Sequence, residues 1–121
     1  MSVLTFAISR PPKSIQQMID DYNIDINADI DYFLIHQANK LIVDRVVKKL
    51  KLPIEKVPYD LEEFGNLGGA SIPSLMVARI AEPMRNDRPV RMLCSSFGLG
   101  LSWGTMLITA NNVIIPKLIE I

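Results

Sequence analysis

The sequence predicts an α/β fold in which helices flank a mixed β-sheet. Three features support this class. An apolar pattern of helical period opens the chain, a short apolar stretch leads into a second amphipathic segment, and glycines separate two apolar stretches near the C-terminus. The segments run in the order α-β-α-β-α-β-β, which is typical of helices packed on a sheet. With 121 residues, 49% of them apolar and 21% charged, we expect one globular domain, 1–121.

The first third of the chain predicts a helix and a strand. Apolar residues recur at helical spacing through 3–22, and the adjacent Pro11 and Pro12 are expected to bend or break that helix. After a polar connection, the aromatic and apolar stretch Asp31–Ile35 predicts a short strand that ends at His36.

The middle of the chain predicts a second helix, a strand and a glycine loop. Residues 39–50 carry apolar side chains on one face and charged ones on the other, which predicts an amphipathic helix that Pro53 ends. Val57–Tyr59 predicts a short strand. The flexible loop Gly65–Gly69 follows, and Ser71 is the expected N-cap of the next helix.

The last third predicts a helix and two strands. The helix that begins near Ser71 is expected to run to about Glu82, where Pro83 stops it. Val90–Phe97 and Leu101–Thr109 predict two strands joined by a glycine-flanked turn.

Charge and cysteine content exclude several classes of function. Thirteen basic and thirteen acidic side chains cancel, so neither nucleic acid nor an anionic membrane is an expected partner. No apolar run approaches the roughly 18 to 20 residues that span a bilayer, and no secretory signal is recognisable. The single cysteine excludes an internal disulfide framework and suits a reducing compartment, so we expect a cytoplasmic protein.

Two polar residues at the ends of predicted strands form the candidate site. His36 follows the strand Asp31–Ile35, and Asn66 follows a glycine in the next strand-to-helix loop. Both loops are expected at the carboxyl edge of the sheet, where open α/β sheets usually bind ligands. There an imidazole and a carboxamide can each donate a hydrogen bond to one oxyanion, which is the arrangement that enolate chemistry needs.

Each candidate residue also has a structural interpretation. A histidine after a strand is more often a hydrogen-bonded structural residue than a catalytic one, and Asn39 either orients the site or caps the helix that follows it. Cys94 lies inside a predicted strand, away from any helix N-terminus, so an inert buried thiol is expected. Phe97 and Trp103 are expected in the core, with a pocket wall as the alternative.

No metal site and no bound cofactor are expected. Asp25, Asn27 and Asp29 have the spacing of a calcium-binding loop. The sixth position of that pattern is Ile30 rather than glycine, and the twelfth is His36 rather than glutamate, which argues against calcium.

Three segments in order resemble the C-terminal half of β-ketoacyl-acyl carrier protein synthase III: His36–Asn39, Gly65–Pro73 and Phe97–Gly104. The resemblance covers about residues 3–108. It implies a thiolase-like half-domain, which packs against a second, similar half in that family.

The resemblance also implies that the first strand of this half is missing. We expect that strand at the centre of the sheet, between the strand ending at His36 and the strand at Val90–Phe97. Its loss would leave exposed sheet edges. These edges are expected to be covered by self-association into a homo-oligomer, by rearranged pairing or by a partner chain.

The resemblance implies a decarboxylating Claisen condensation of fatty acid biosynthesis. In that family, an acyl group passes from coenzyme A to a cysteine, and a malonyl thioester on acyl carrier protein loses carbon dioxide and attacks it. By motif match, His36 and Asn66 hold the thioester oxygen as it becomes an enolate. Acyl-CoA and acyl carrier protein thioesters are thus the implied substrates. The cysteine belongs to an N-terminal half absent from this sequence, so the chain alone is expected to be an inactive acyltransferase.

The glycine loop departs from the family pattern. Gly98, Leu99 and Gly100 match the segment whose backbone N–H completes the oxyanion hole for the acyl-cysteine, but glycine usually stands at the position of Leu99. The amide is retained, whereas a leucine side chain restricts φ and fills space. Substrate choice is therefore expected to change more than the chemistry. Gln37 and Asn39 are expected to hold the site residues in position without contacting the substrate themselves.

The family docks carrier protein on basic residues near the helix after the histidine motif. Leu41 stands where the family often has arginine. Neighbouring basic side chains are the candidates to replace it: Lys40, Arg45, Lys48 and Lys49. The alternative is that they form the solvated face of an amphipathic helix.

Two further interpretations stay open. The chain could be a non-catalytic module that binds acyl carrier protein or scaffolds a partner, or a specialised relative that transfers an unusual acyl group. Retention of both His36 and Asn66 favours catalysis, and Leu99 leaves room for the alternatives.

Overall fold

A computed structural model describes residues 2–98 and 100–121, which contain a three-stranded mixed sheet. The strands are β1 (Tyr32–Ile35), β2 (Val90–Gly98) and β3 (Ser102–Ala110), in the spatial order β1-β2-β3. β1 runs parallel to β2, and β3 runs antiparallel to it. The predicted α/β class with a mixed sheet is confirmed.

Helices cover both faces of the sheet. In chain order they are α1 (Val3–Asp21), α2 (Lys40–Leu50), α3 (Leu61–Phe64), α4 (Ser71–Ala78) and α5 (Ala81–Arg85). Short 3-10 turns at Ile54–Lys56 and Gly68–Ala70 lie in the connections. None of the described helices is both long enough and apolar enough to cross a membrane.

The alternation of side chains along the strands divides the core into two clusters. Phe33 and Leu93 point to one face, where they pack with residues of α1 and α2 such as Phe6 and Val46. Their sequence neighbours Leu34 and Met92 point to the other face and pack with Leu75 of α4 and Met84 of α5. Because both faces are buried, β1 and most of β2 consist of apolar residues.

Of the two effects predicted for the prolines, a bend or a break, the break does not occur, because α1 continues through both of them. A proline inside a helix removes one backbone hydrogen bond and crowds the preceding turn. Here the rings of Pro11 and Pro12 are buried, so their packing offsets part of that loss. Ser2 caps the helix, since its side chain accepts a hydrogen bond of 3.1 Å from the Thr5 amide.

The segment from 57 to 85 differs from the prediction in two ways. Val57–Tyr59, all of it described, forms no strand and follows a 3-10 turn instead. The helix predicted to run to about Glu82 is divided into α4 and α5, and α5 continues past Pro83. Ser71 does not cap α4 but is its first residue, with its hydroxyl buried and without a hydrogen-bond partner among the described residues.

The two strands expected on either side of a missing central strand are neighbours in this structure, which corresponds to rearranged pairing, one of the three expected outcomes. β1 and β2 pair directly, with Phe33 opposite Leu93 and Ile35 opposite Ser95, so nothing separates them at the centre of the sheet. The open edges among the described strands are instead those of β1 and β3. All nine residues of β3 are uncharged, and β3 pairs only with β2.

Candidate active site

One cavity at the carboxyl ends of β1 and β2 brings together four residues predicted from the sequence: His36, Asn66, Gly98 and Gly100. Its volume is about 230 Å³. Leu99, predicted to belong to the same loop, lies outside the described residues. Phe97, for which a pocket wall was the alternative prediction, also lines the cavity. The remaining walls are four apolar residues that the sequence did not single out: Val3, Phe6, Ala38 and Leu101.

Three contacts with the end of β2 fix His36. Its backbone N–H donates to the carbonyl of Ser95 at 2.9 Å, continuing the β1–β2 ladder by one residue. The imidazole meets the ring of Phe97 edge-on, with 4.9 Å between centroids and 64° between planes. Nδ1 lies 3.4 Å from the hydroxyl oxygen of Ser96. The residue is only 6% exposed, and this burial lowers the pKa of His36, which favours the neutral imidazole.

Asn66 is exposed and held by its own loop. Its side-chain oxygen accepts a hydrogen bond of 3.0 Å from the amide of Gly68, an Asx-type turn. That contact occupies the acceptor end of the carboxamide and leaves the NH₂ group as a donor. Gly65, with φ of +66° and ψ of −159°, supplies a backbone conformation that is nearly restricted to glycine. The loop that presents Asn66 therefore depends on glycine at position 65.

Gln37 connects the two loops that carry these donors. Its side chain is fully buried, its NH₂ group donates to the carbonyl of Ile35 at 2.8 Å, and its oxygen accepts from the amide of Asp60 at 3.2 Å. Asp60 begins the segment that leads through α3 to Asn66. The side chain next to His36 thus holds the start of the Asn66 loop.

Asp60, which was not predicted from the sequence, extends this connection to α4. The residue is 1% exposed, and Ser74 of α4 donates a hydrogen bond of 2.6 Å to one of its carboxylate oxygens. Its other oxygen is buried without a hydrogen-bond partner among the described residues. The only signal in the sequence is its position before α3, where it resembles an N-cap, but its side chain makes no capping bond.

Asn39 caps α2, the structural one of its two predicted interpretations. Its side-chain oxygen accepts from the amide of Ile42 at 2.9 Å, and its backbone is extended, as is usual for an N-cap. The cap, three residues after His36, fixes the start of α2.

Three of the four basic candidates for carrier docking line one groove, and the fourth, Lys40, pairs with an acidic residue of that groove. Lys40 pairs with Asp44 at 2.8 Å and lies over the ring of Tyr59, 5.5 Å from its centroid. The other three line a groove of about 740 Å³ together with Ile8 and Asp44: Arg45, Lys48 and Lys49.

Two further predictions concern Cys94 and the aromatic residues Phe97 and Trp103. Cys94 is buried in β2, and desolvation raises the pKa of its thiol to about 11, as expected for an inert cysteine. Phe97 is 8% exposed and lies in the core as predicted. Trp103 is 46% exposed and is not part of the core, but it lines a cavity together with Phe97, which is the pocket wall given as the alternative. The indole lies on β3, where it contacts Phe6 edge-on and the guanidinium of Arg10.

This arrangement is suited to holding negative charge on an oxygen atom. A neutral imidazole and a carboxamide NH₂ line the same small cavity as the backbone of a glycine turn, in which Gly100 has φ of +79°. Hydrogen-bond donors fixed in advance around one point stabilise an oxyanion without reorganising during the reaction. Fold and site together define an α/β domain with a small cavity lined by hydrogen-bond donors.

Comparison with known proteins identifies the family. The family model described as 3-oxoacyl-[acyl-carrier-protein (ACP)] synthase III C terminal matches residues 21–110. The chain belongs to this family. It is 40% identical over 111 residues to β-ketoacyl-[acyl-carrier-protein] synthase III of Streptococcus pneumoniae. To the synthase III of Streptococcus gordonii it is 37% identical over 109 residues. Each alignment covers 89% of this chain but 33% of the relative, so the chain spans about a third of the length of these curated relatives.

Solved structures agree with the family. A 3-oxoacyl-(acyl-carrier protein) synthase from Burkholderia xenovorans superposes with a TM-score of 0.88 and 29% identity, covering 95% of this chain and 32% of that one. A β-ketoacyl-[acyl carrier protein] synthase III from Thermus thermophilus gives 0.79 and 31%, covering 92% and 34%. The fold is therefore thiolase-like, as the sequence predicted.

Proposed function

We propose that this chain is the enolate-stabilising, C-terminal part of a 3-oxoacyl-[acyl-carrier-protein] synthase III-like acyltransferase. The observation that carries the proposal is the single cavity lined by His36, Asn66, Gly98 and Gly100. The reaction is the decarboxylating condensation of an acyl group with malonyl-acyl carrier protein in fatty acid biosynthesis.

His36 and Asn66 act on the malonyl thioester. The bond between its α-carbon and its carboxylate breaks, carbon dioxide leaves, and the electron pair moves toward the thioester oxygen. Hydrogen bonds from the imidazole and from the Asn66 NH₂ group stabilise the resulting enolate. The enolate carbon then attacks the acyl thioester carbon and a carbon–carbon bond forms. The bond from the acyl carbon to the cysteine sulfur breaks, and the cysteine leaves as a thiolate that no longer carries the acyl group. The lowered pKa of His36 is consistent with a donor that stays neutral throughout.

The nucleophilic thiol is supplied by protein outside this sequence. Cys94 is unsuited to that role, because it is buried in β2 and its pKa is raised to about 11. The curated relatives have about three times the length matched here, since the chain covers 33% of each. We therefore expect the chain alone to form no acyl-enzyme. The backbone of the 98–100 loop would hold the oxygen of that acyl-cysteine.

Carrier protein binds the groove beside α2. Three cations line it, and only one carboxylate, that of Asp44, lies among them. An acidic carrier surface and a phosphate-bearing arm would find charge complementarity there. Lys40 contributes less, because Asp44 already pairs with it.

The test is reconstitution. The chain is mixed with the separately expressed N-terminal region of the Streptococcus pneumoniae relative, and carbon dioxide release from malonyl-acyl carrier protein is measured. Loss of one oxyanion donor typically lowers the rate about 100- to 1,000-fold, so His36→Ala and Asn66→Ala should each do so. Gln16→Ala, an exposed change on α1, is the matched control.

A reconstituted rate that His36→Ala leaves unchanged would contradict the proposal. Carrier binding without decarboxylation in an otherwise folded complex would indicate the non-catalytic module instead.

A further inference from the structure

The end of β2 places a serine hydroxyl beside the imidazole of the candidate site. Ser96 is the residue before Phe97, and the two side chains contact the same ring from different directions. The edge-on contact with Phe97 restricts rotation of the imidazole. The Ser96 oxygen then lies 3.4 Å from Nδ1, a long hydrogen bond.

The hydrogen-bond partner of one ring nitrogen of a histidine determines whether the other ring nitrogen carries a proton. A neutral imidazole carries one proton, so a nitrogen that accepts a hydrogen bond forces the proton onto its neighbour. A serine hydroxyl can rotate to donate. If it donates to Nδ1, Nε2 carries the proton and becomes the only hydrogen-bond donor of the ring.

We propose that Ser96 is a positioning residue that holds the proton of His36 on Nε2. This rests on the proposed function, in which the imidazole donates to an enolate oxygen. Ser96 itself touches no reacting atom in this scheme. Its hydroxyl fixes the tautomer, and Phe97 fixes the plane of the ring.

The chain is well suited to a direct test, because His36 is its only histidine. In ¹⁵N-labelled protein at pH 8, long-range proton–nitrogen correlation spectra distinguish a protonated from an unprotonated ring nitrogen. We expect Nε2 to be protonated and Nδ1 to be the acceptor. Removing one ordinary hydrogen bond should shift the tautomer ratio toward Nδ1–H by about three- to tenfold in Ser96→Ala.

Two control variants distinguish an effect of losing the Ser96 hydroxyl from an effect of disturbing β2 as a whole. Ser96→Thr keeps the hydroxyl and should keep the original ratio. Ser95→Ala removes the neighbouring hydroxyl, which faces the other side of the sheet and contacts Thr105 rather than the imidazole, and should also leave the ratio unchanged. A wild-type ring protonated on Nδ1, or a ratio that is the same in Ser96→Ala, would overturn the proposal.

The outcome is independent of the proposed function. Suppose that the tautomer ratio shifts in Ser96→Ala but that His36→Ala leaves the reconstituted rate unchanged. The contact between Ser96 and His36 would then be supported, and the proposed catalytic role of His36 would be rejected. If the tautomer ratio is unchanged in Ser96→Ala but the rate falls in His36→Ala, the catalytic role of His36 would be supported and the positioning role of Ser96 rejected.

Discussion

Replacing Gln37 with alanine should destabilise the chain more than any other single polar substitution near the site. The side chain is fully buried and bonded at both ends of its amide, to the carbonyl of Ile35 at 2.8 Å and the N–H of Asp60 at 3.2 Å. Alanine reaches neither group. Both backbone groups then lose their partner inside the fold.

The expected magnitude follows from these two groups. Leaving one buried donor or acceptor unsatisfied costs about 1–3 kcal/mol, and the loss of a second adds to it. The removed side-chain atoms leave a cavity, which adds a further penalty. We expect a decrease of about 2–5 kcal/mol in the free energy of unfolding, a large fraction of the 5–15 kcal/mol that is typical of a domain.

Equilibrium unfolding in urea measures this decrease. The midpoint should fall while the slope of the free energy against urea concentration stays constant, because the same surface is exposed on unfolding. Gln16→Ala is the control, since the Gln16 side chain bonds only to Asp20 on the exposed face of α1. A Gln37→Ala loss no larger than that of the control would refute the reasoning, and with it the connection between the two loops.

Three other predictions follow from burial and from the contacts of the Asn66 loop. Because the pKa of Cys94 is raised to about 11, its thiol should react with a thiol reagent at pH 8 far more slowly in the native chain than in urea; equal rates would contradict its burial. Burial lowers the pKa of His36, so the folded chain binds fewer protons than the unfolded one just below the ordinary value of about 6.5. The stability that comes from the neutral imidazole should therefore be fully present above that pH and be lost as the pH drops through the pKa of the folded state. In His36→Gln, the free energy of unfolding measured in urea should lack this dependence on pH. Arg79→Ala should cost about 1 kcal/mol in urea unfolding. Glu63→Ala should cost less, since the bond from Arg79 to the carbonyl of Tyr59, 2.8 Å long, survives that change.

Local patterns in the sequence predicted the elements whose burial is decided locally. The strand at Tyr32–Ile35, the helix at Lys40–Leu50 and both C-terminal strands lie within a residue or two of their expected ends. Alternation and helical period reflect which side of one element is buried, and that information is contained within the element. The His36 and Asn66 pairing was predicted from an expected strand before each residue. Of the two, only His36 follows a strand in the described structure; Asn66 reaches the same cavity after α3, in a segment whose start bonds to Gln37.

Contacts between distant segments could not be predicted in this way. A strand's neighbour in the sheet depends on the whole topology, which is why the direct pairing of β1 with β2 was only one of three expected alternatives. Asp60 was not singled out in the sequence, and its contacts are with Gln37, 23 residues earlier in the chain, and with Ser74, 14 residues later. Trp103 looked like core, but it lies on a strand whose surface is largely uncovered.

Exposure around the cavity also bears on how well the two donors can work. Hydrogen bonds to a charged oxygen gain strength where water is excluded. Here His36 is buried, but Asn66 is exposed and the apolar wall is open, with Val3 65% and Leu101 41% exposed. Water therefore reaches one of the two donors and competes for the oxyanion. For this reason a thiol supplied only in solution should not restore condensation: a partner must both carry the nucleophile and cover this wall before His36 and Asn66 can stabilise an enolate fully.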